Sequence, residues 1–137
     1  MLSSILQTKQ SAMLEQALKA SSLRQKVINN NIANVNTPGF KKSEVVFENL
    51  LQAEVNSAPP LPLTVTNGRH IQTAANEPFA PVVNMVADTS ARTDGNNVDI
   101  DAEMAEMAKN NIYYSAVAQQ MGSFFSSLMS AIKEGKG

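Results

Sequence analysis

Residues 101–133 read DAEMAEMAKNNIYYSAVAQQMGSFFSSLMSAIK, and the spacing inside this stretch decides the fold. Met107, Tyr114, Met121 and Leu128 recur every seven residues. Met104, Asn111, Ala118, Phe125 and Ile132 do the same, offset by three or four positions. Together the two columns predict the a/d seam of a coiled coil in which only Asn111 is polar. Val117 and Phe124 widen the stripe. Such a helix is about 50 Å long, against roughly 30 Å for a compact domain of this size, so its own chain is not expected to wrap it. Asn110, Asn111, Tyr113, Tyr114 and Ser115 are mediocre helix formers, and Gly122 costs about 1 kcal/mol against alanine, so the helix depends on packing. Asp99 or Asp101 is expected to cap its start, with Glu103 and Glu106 near the positive end of its dipole. Lys133 and the following Gly135 mark its end. Two arrangements satisfy the seam: the core of an ordinary bundle, or packing between molecules.

Working outward, the other end of the chain carries a weaker version of the same pattern. Leu6, Met13, Ala20 and Val27 recur every seven residues, and Leu14, Leu18, Ile28 and Ile32 fill adjoining positions. Gln10, Arg24 and Gln25 interrupt the stripe. Ser4 and Gln7 have capping-box spacing, and the helix is expected to run to about Asn34. The chain thus divides into an N-terminal helix (1–36), a corner with a Pro-rich linker and a small β or irregular region (37–100), and the heptad helix (101–134), acting as a single structural unit. The expected fold is mainly α: two long terminal amphipathic helices forming a coiled-coil-like pair or bundle, joined by an irregular centre with a small β element.

Asn29, Asn30, Asn31, Asn34 and Asn36 crowd the end of the first helix. Asparagine tolerates the left-handed conformation and caps helix carbonyls, so helix termination explains them. Thr37 precedes Pro38 and is pushed out of the helical region. Gly39 supplies the freedom of a tight turn, and Phe40 can fold back onto the helix while Lys41 and Lys42 stay in water. The residues by themselves predict a rigid corner without chemistry. The run Ala33-Asn34-Val35-Asn36-Thr37-Pro38-Gly39-Phe40-Lys41 nevertheless closely resembles the N-terminal signature of bacterial flagellar axial proteins, those of rod, hook and hook–filament junction. Asp94-Gly95-Asn96-Asn97-Val98-Asp99-Ile100-Asp101-Ala102-Glu103-Met104 is similar to the matching C-terminal segment of the rod proteins, and residues 107–125 resemble the helix of proximal rod proteins. The resemblance covers about residues 1–50 and 94–133. It implies a structural, non-enzymatic subunit exported by the flagellar type III apparatus and assembled next to the export gate and the MS ring. The partners implied are other copies of the chain, other rod proteins, and the MS-ring and export-gate proteins.

The centre reads as follows. Ser43-Glu44-Val45-Val46-Phe47 is a candidate strand, although Phe47, Leu50 and Leu51 also suit a helical turn. Ala58-Pro59-Pro60-Leu61-Pro62 is an extended linker. Leu63–Thr66 and His70–Thr73 flank Asn67-Gly68, a two-residue hairpin signal. Val82, Val83, Met85 and Val86 suit an edge strand beside Pro78 and Pro81. Arg92 to Asn97 is turn-rich and polar.

The remaining inventory excludes more than it offers. The chain has 137 residues, a formal net charge of −1 and no cysteine. That gives no argument for nucleic acid, and no disulfide framework or thiol nucleophile. No basic segment followed by an apolar run opens the chain, so a Sec signal is not expected, and no apolar run is long enough to span a membrane. His70, the single histidine, lacks a placed serine or aspartate and reads as a surface residue. Asp94, Asn96, Asp99, Asp101 and Glu103 fail the EF-hand spacing, because Val98 stands at the fifth position and Asp99 at the sixth; capping explains these acids more simply. Asn111 is either a register device pairing with an amide across an interface or a solvated position. Met104, Met107, Met121 and Met129 suggest an adaptable packing surface. No catalytic or metal residue, cofactor or small-molecule substrate is expected. A soluble cytosolic coiled-coil adaptor also accounts for the heptads, but not for the corner or the long irregular centre.

Overall fold

The computed structural model describes residues 8–48, 52, 81–87 and 92–135. Helix α1 spans Lys9–Ala33, strand β1 Ser43–Val46, strand β2 Val82–Met85, and helix α2 Ile100–Glu134. The fold is mainly helical, with two long helices flanking a two-stranded antiparallel ribbon. Leu6, the Ser4–Gln7 capping box, the linker at 58–62, the Asn67-Gly68 hairpin and His70 lie outside the described residues.

Helix α1 is capped by Thr8, whose hydroxyl accepts the Ser11 N–H at 3.2 Å. Its first two thirds are rich in Ala, Leu, Gln and Lys, which are good helix formers. It ends at Asn34, whose backbone N–H reaches the carbonyls of Asn30 and Asn31 and whose side-chain amide reaches Asn30 again at 2.9 Å. Helix α2 is capped by Asp99, whose carboxylate accepts the N–H groups of Asp101 and Ala102. Asp101 and Glu103 occupy its first turn and Lys133 its last, each complementing the helix dipole. Gly135 closes it at φ −75°, without a left-handed turn.

The two helices are antiparallel. Asn31 near the end of α1 meets Glu103 at the start of α2, whereas Ser21 meets Asn110. The face that α2 turns to α1 holds the buried Glu103 and Asn110 and the half-buried Met107, Tyr113, Val117, Met121, Phe124 and Leu128. The column Met104, Asn111, Ala118, Phe125 and Ile132 is exposed instead. The column beside Met107 and Met121 that faces α1 is thus the neighbouring one, Glu103, Asn110, Val117 and Phe124. Its polar members are held there by hydrogen bonds, which hydropathy does not register.

Pro81 precedes β2, and the ribbon pairs Ser43 with Met85, Glu44 with Asn84, Val45 with Val83 and Val46 with Val82. β1 faces inward through buried Val45 and continues into fully buried Phe47, whereas β2 is exposed throughout. Phe47 packs with Ala17 and Ala20 of α1, and with Tyr113 and Val117 of α2. Its ring meets that of Tyr113 edge-on at 5.9 Å, and the Arg24 guanidinium lies 5.0 Å from its centre. This small cluster is the core that positions everything else.

Candidate functional site

The corner is built from both ends of the chain. Gly39 has φ +72° and Gly95 φ +80°, conformations open to glycine and strained for other residues. The two turns touch: Gly39 donates its N–H to the Asp94 carbonyl at 2.8 Å. A Cβ on Gly95 would stand 3.6 Å from Gly39 Cα. Beside them Asn96 is fully buried. Its amide nitrogen donates to the carbonyls of Asn34 at 3.0 Å, Val35 at 3.1 Å and Thr37 at 2.9 Å. Its amide oxygen accepts the Val98 N–H at 2.7 Å. The carbonyls of the turn that follows α1 are therefore held by a side chain about sixty positions further on, while Asn34 and Val35 cap the helix itself.

The neighbours of Asn96 extend the same stitching. Arg92 donates to the Val35 carbonyl at 3.2 Å and pairs with Asp94 at 2.8 Å. Asp94 accepts the Asn96 N–H at 3.1 Å; this bond, with the Arg92 guanidinium, holds its carboxyl below the usual value despite partial desolvation. Asn97 accepts the Lys42 N–H and donates to the Val86 carbonyl, both at 2.7 Å, so it clamps the two strands where they leave the ribbon. Each acid singled out at 94–103 has a structural role: Asp94 orders the turn, Asp99 caps α2, Asp101 lies in its first turn, and Glu103 accepts from Asn31 at 3.0 Å.

Within the signature, Asn34 and Phe40 are half-buried, while Ala33, Asn36, Thr37, Pro38 and Gly39 are exposed. What this run presents to residues 92–96 is backbone: the carbonyls of Asn34, Val35 and Thr37 and the N–H of Gly39. Ala20 and Ile28 are buried and Met13, Leu14 and Val27 half-buried on α1. On α2, Met107, Met121 and Leu128 are half-buried and Tyr114 is exposed. The residues that sequence reasoning missed are Asn96, Asn97 and Asn110, because a buried asparagine reads the same as an exposed one in a string of letters. The one available signal for Asn110 was its place seven residues before Val117.

A second surface lies on α2. Met104, Phe125 and Ile132 are exposed to 48%, 45% and 49%, and Ile100, Ala118 and Met129 share their side of the helix. This apolar strip lies roughly a quarter-turn round the helix from the face on α1, at about 100° per residue. The charges along the open groove between α1, β1 and α2 offset one another instead: Lys42 pairs with Glu44 at 2.7 Å, Lys109 with Glu106 at 3.2 Å, and Arg24 with Glu48. The hydrogen bond to Glu44 raises the Lys42 pKa against the opposing effect of burial. The described residues thus offer a corner locked by bonds within the chain and an exposed apolar helix face.

Comparison with known proteins gives the family. The profile of the flagella basal body rod protein family matches residues 6–41, which contain α1 and the corner. The flagellar basal body rod protein FlgB of Bacillus subtilis is 41% identical over 123 residues, covering 90% of this chain and 92% of that protein. FlgB of Borreliella burgdorferi is 34% identical over 85% of this chain and 90% of its own length. FlgB of Escherichia coli is 26% identical over 88% and 91%. With 41% and 34% identity over most of its length, the chain belongs to the FlgB family of flagellar basal body rod proteins.

Proposed function

We propose that this chain is a subunit of the proximal rod, exported by the flagellar type III apparatus and built in next to the export gate and the MS ring. Its family is a structural one of the flagellar basal body. The observation that carries the finer reading is the exposed strip on α2, from Ile100 through Met104, Ala118, Phe125 and Met129 to Ile132. Large apolar side chains repeated along one line of a long helix are costly in water and favourable when a neighbour covers them. One face of α2 joins its own α1, and the second is left for other copies of the chain, other rod proteins, or the MS-ring and export-gate proteins. Contacts of this kind join two unlike surfaces, so they propagate along a helical array of subunits and do not close on a pair.

The test is quantitative mass spectrometry of detergent-extracted basal bodies against cytosol from the same cells. Several copies of this chain per basal body are expected. Abundance in the cytosol as a dimer, with none in the basal body, overturns the reading in favour of a cytosolic adaptor.

A further inference from the structure

The seam between α1 and α2 is unusual in what it buries. Among the described residues, α1 contributes buried Ala17, Ala20, Ser21, Ile28 and Asn31, and α2 contributes buried Glu103 and Asn110. Alanine and serine make a smooth surface with little to fix where a partner side chain must sit. The heptad repeat adds a second ambiguity. Met13, Ala20 and Val27 recur every seven residues on α1, as do Met107, Met121 and Leu128 within one column of α2. An antiparallel pair with such repeats can slide by one heptad and still match apolar with apolar.

The polar residues do not allow that slide. Ser21 Oγ donates to Asn110 Oδ1 at 2.8 Å, and Asn110 Nδ2 donates back to the Ser21 carbonyl at 3.0 Å and to Gln25 Oε1 at 3.1 Å. At the far end Asn31 holds Glu103 at 3.0 Å and closes a two-bond pair with the Ser43 backbone, donating at 2.8 Å and accepting at 3.0 Å. A shift of seven residues would set Asn110 against Leu14 or Ile28 and would part Asn31 from Glu103. The Asn110 amide would then lack its partners in a place without water, and the buried Glu103 would lose Asn31, which keeps its bonds to Ser43.

We infer that Ser21–Asn110 and Asn31–Glu103 are register-determining pairs, which select one alignment of α1 on α2 and so fix which face of α2 remains outward. Their task is discrimination among alignments, with cohesion left to Phe47 and its neighbours. The inference concerns pairing within one chain and holds whether or not the outward face meets other rod subunits.

The chain has no cysteine, so disulfide trapping reads register directly. One full-length version carries Ala17→Cys with Val117→Cys, positions in the same core cluster; another carries Ala17→Cys with Phe124→Cys, which meet only after a slide. Each is made with the native lock, with S21A/N110L/E103A, and with the smaller S21A/N110A/E103A, so that both pairs are removed. Far-ultraviolet circular dichroism checks that helix is retained. With the native lock only the first pair should crosslink. In whichever unlocked version keeps its helix, the slipped crosslink should rise about tenfold relative to the native one. Crosslinking confined to the first pair in an unlocked helical version overturns the inference. Loss of helix in both unlocked versions overturns it too, because the lock would then be a source of cohesion.

Discussion

Asn96 shows how much one side chain does in this molecule. Its amide meets three carbonyls of the corner and one N–H of its own segment, and it is fully buried. Asn96→Ala leaves the Val98 N–H without its acceptor and each carbonyl with one remaining donor, from Thr37, Arg92 or Phe40, and should cost about 1–3 kcal/mol in urea unfolding. Asn96→Asp should cost at least as much, since a carboxylate beside three carbonyl oxygens repels them; recovery with Asp would show that shape alone matters. Gly39 and Gly95 carry a different constraint. Alanine at either must take a left-handed φ, which costs about 1–2 kcal/mol, even though the space beside Gly39 is open. Asp94 adds a pH dependence. Its carboxyl is depressed below the ordinary 3.8 by the Asn96 N–H and Arg92, so its contribution is present above that value and is lost as pH falls through the folded pKa. Asp94→Asn should therefore remove part of the acid sensitivity of the unfolding midpoint below about pH 4, and an unchanged acid limb would discount the group. The turn at Gly39 was legible beforehand, but the part played by Asn96 was not. The letters at 94–97 announce a turn, but which carbonyls an asparagine side chain reaches depends on two segments that meet only in the fold.

At the scale of elements the sequence was far more legible. The ends of α2 follow from local chemistry: an aspartate cap, acids in the first turn, lysine in the last and glycine after it. The end of α1 follows from its asparagines and Pro38 in the same way. The face of α2 that meets α1 was harder, because columns three and four residues apart are both neighbours on a helix and only their partners separate them. Asn110 sits inside because Ser21 and Gln25 satisfy it, whereas Asn111 is exposed. Pairing of β1 with β2 was illegible too, since it joins strands far apart in sequence while the nearest turn signal suggested a local hairpin. The division of labour between faces makes a paired prediction. Phe47→Ala empties the core cluster and should cost about 3–5 kcal/mol in denaturant unfolding, with assembly failing as a consequence. Phe125→Asp alters a side chain already exposed to 45% and should leave the unfolding midpoint within about 0.5 kcal/mol while abolishing swimming. Normal motility with Phe125→Asp would mean that this strip is not where neighbours dock.

Across the whole molecule, the contacts that complete the fold run between its first and last thirds. The corner after α1 is capped from residues 92–96, the ribbon is clamped from Asn97, and the inner face of α1 is covered by α2. An N-terminal piece alone keeps none of these. Its helix would keep Phe47 and its local Asn34 cap but lose the cover that α2 gives its inner face through Glu103, Asn110, Tyr113 and Val117, and would face most of the ordering cost of an isolated helix. A fragment ending at residue 91 should therefore show little helix by circular dichroism, and adding residues 92–137 as a separate peptide should restore it in proportion to complex formed. Pro38-Gly39 changed to Ala-Ala should act on the same junction from the other side: without the proline's block α1 can continue, the Gly39–Asp94 contact is lost, and Asn96 no longer finds its three carbonyls. On the export route proposed above, this arrangement has a use. A chain threaded by its first residues would leave its corner open until the last third followed, which would suit passage through a narrow channel. A fragment 1–91 that is fully and cooperatively helical would remove that argument, since α1 would then be stable before α2 arrived.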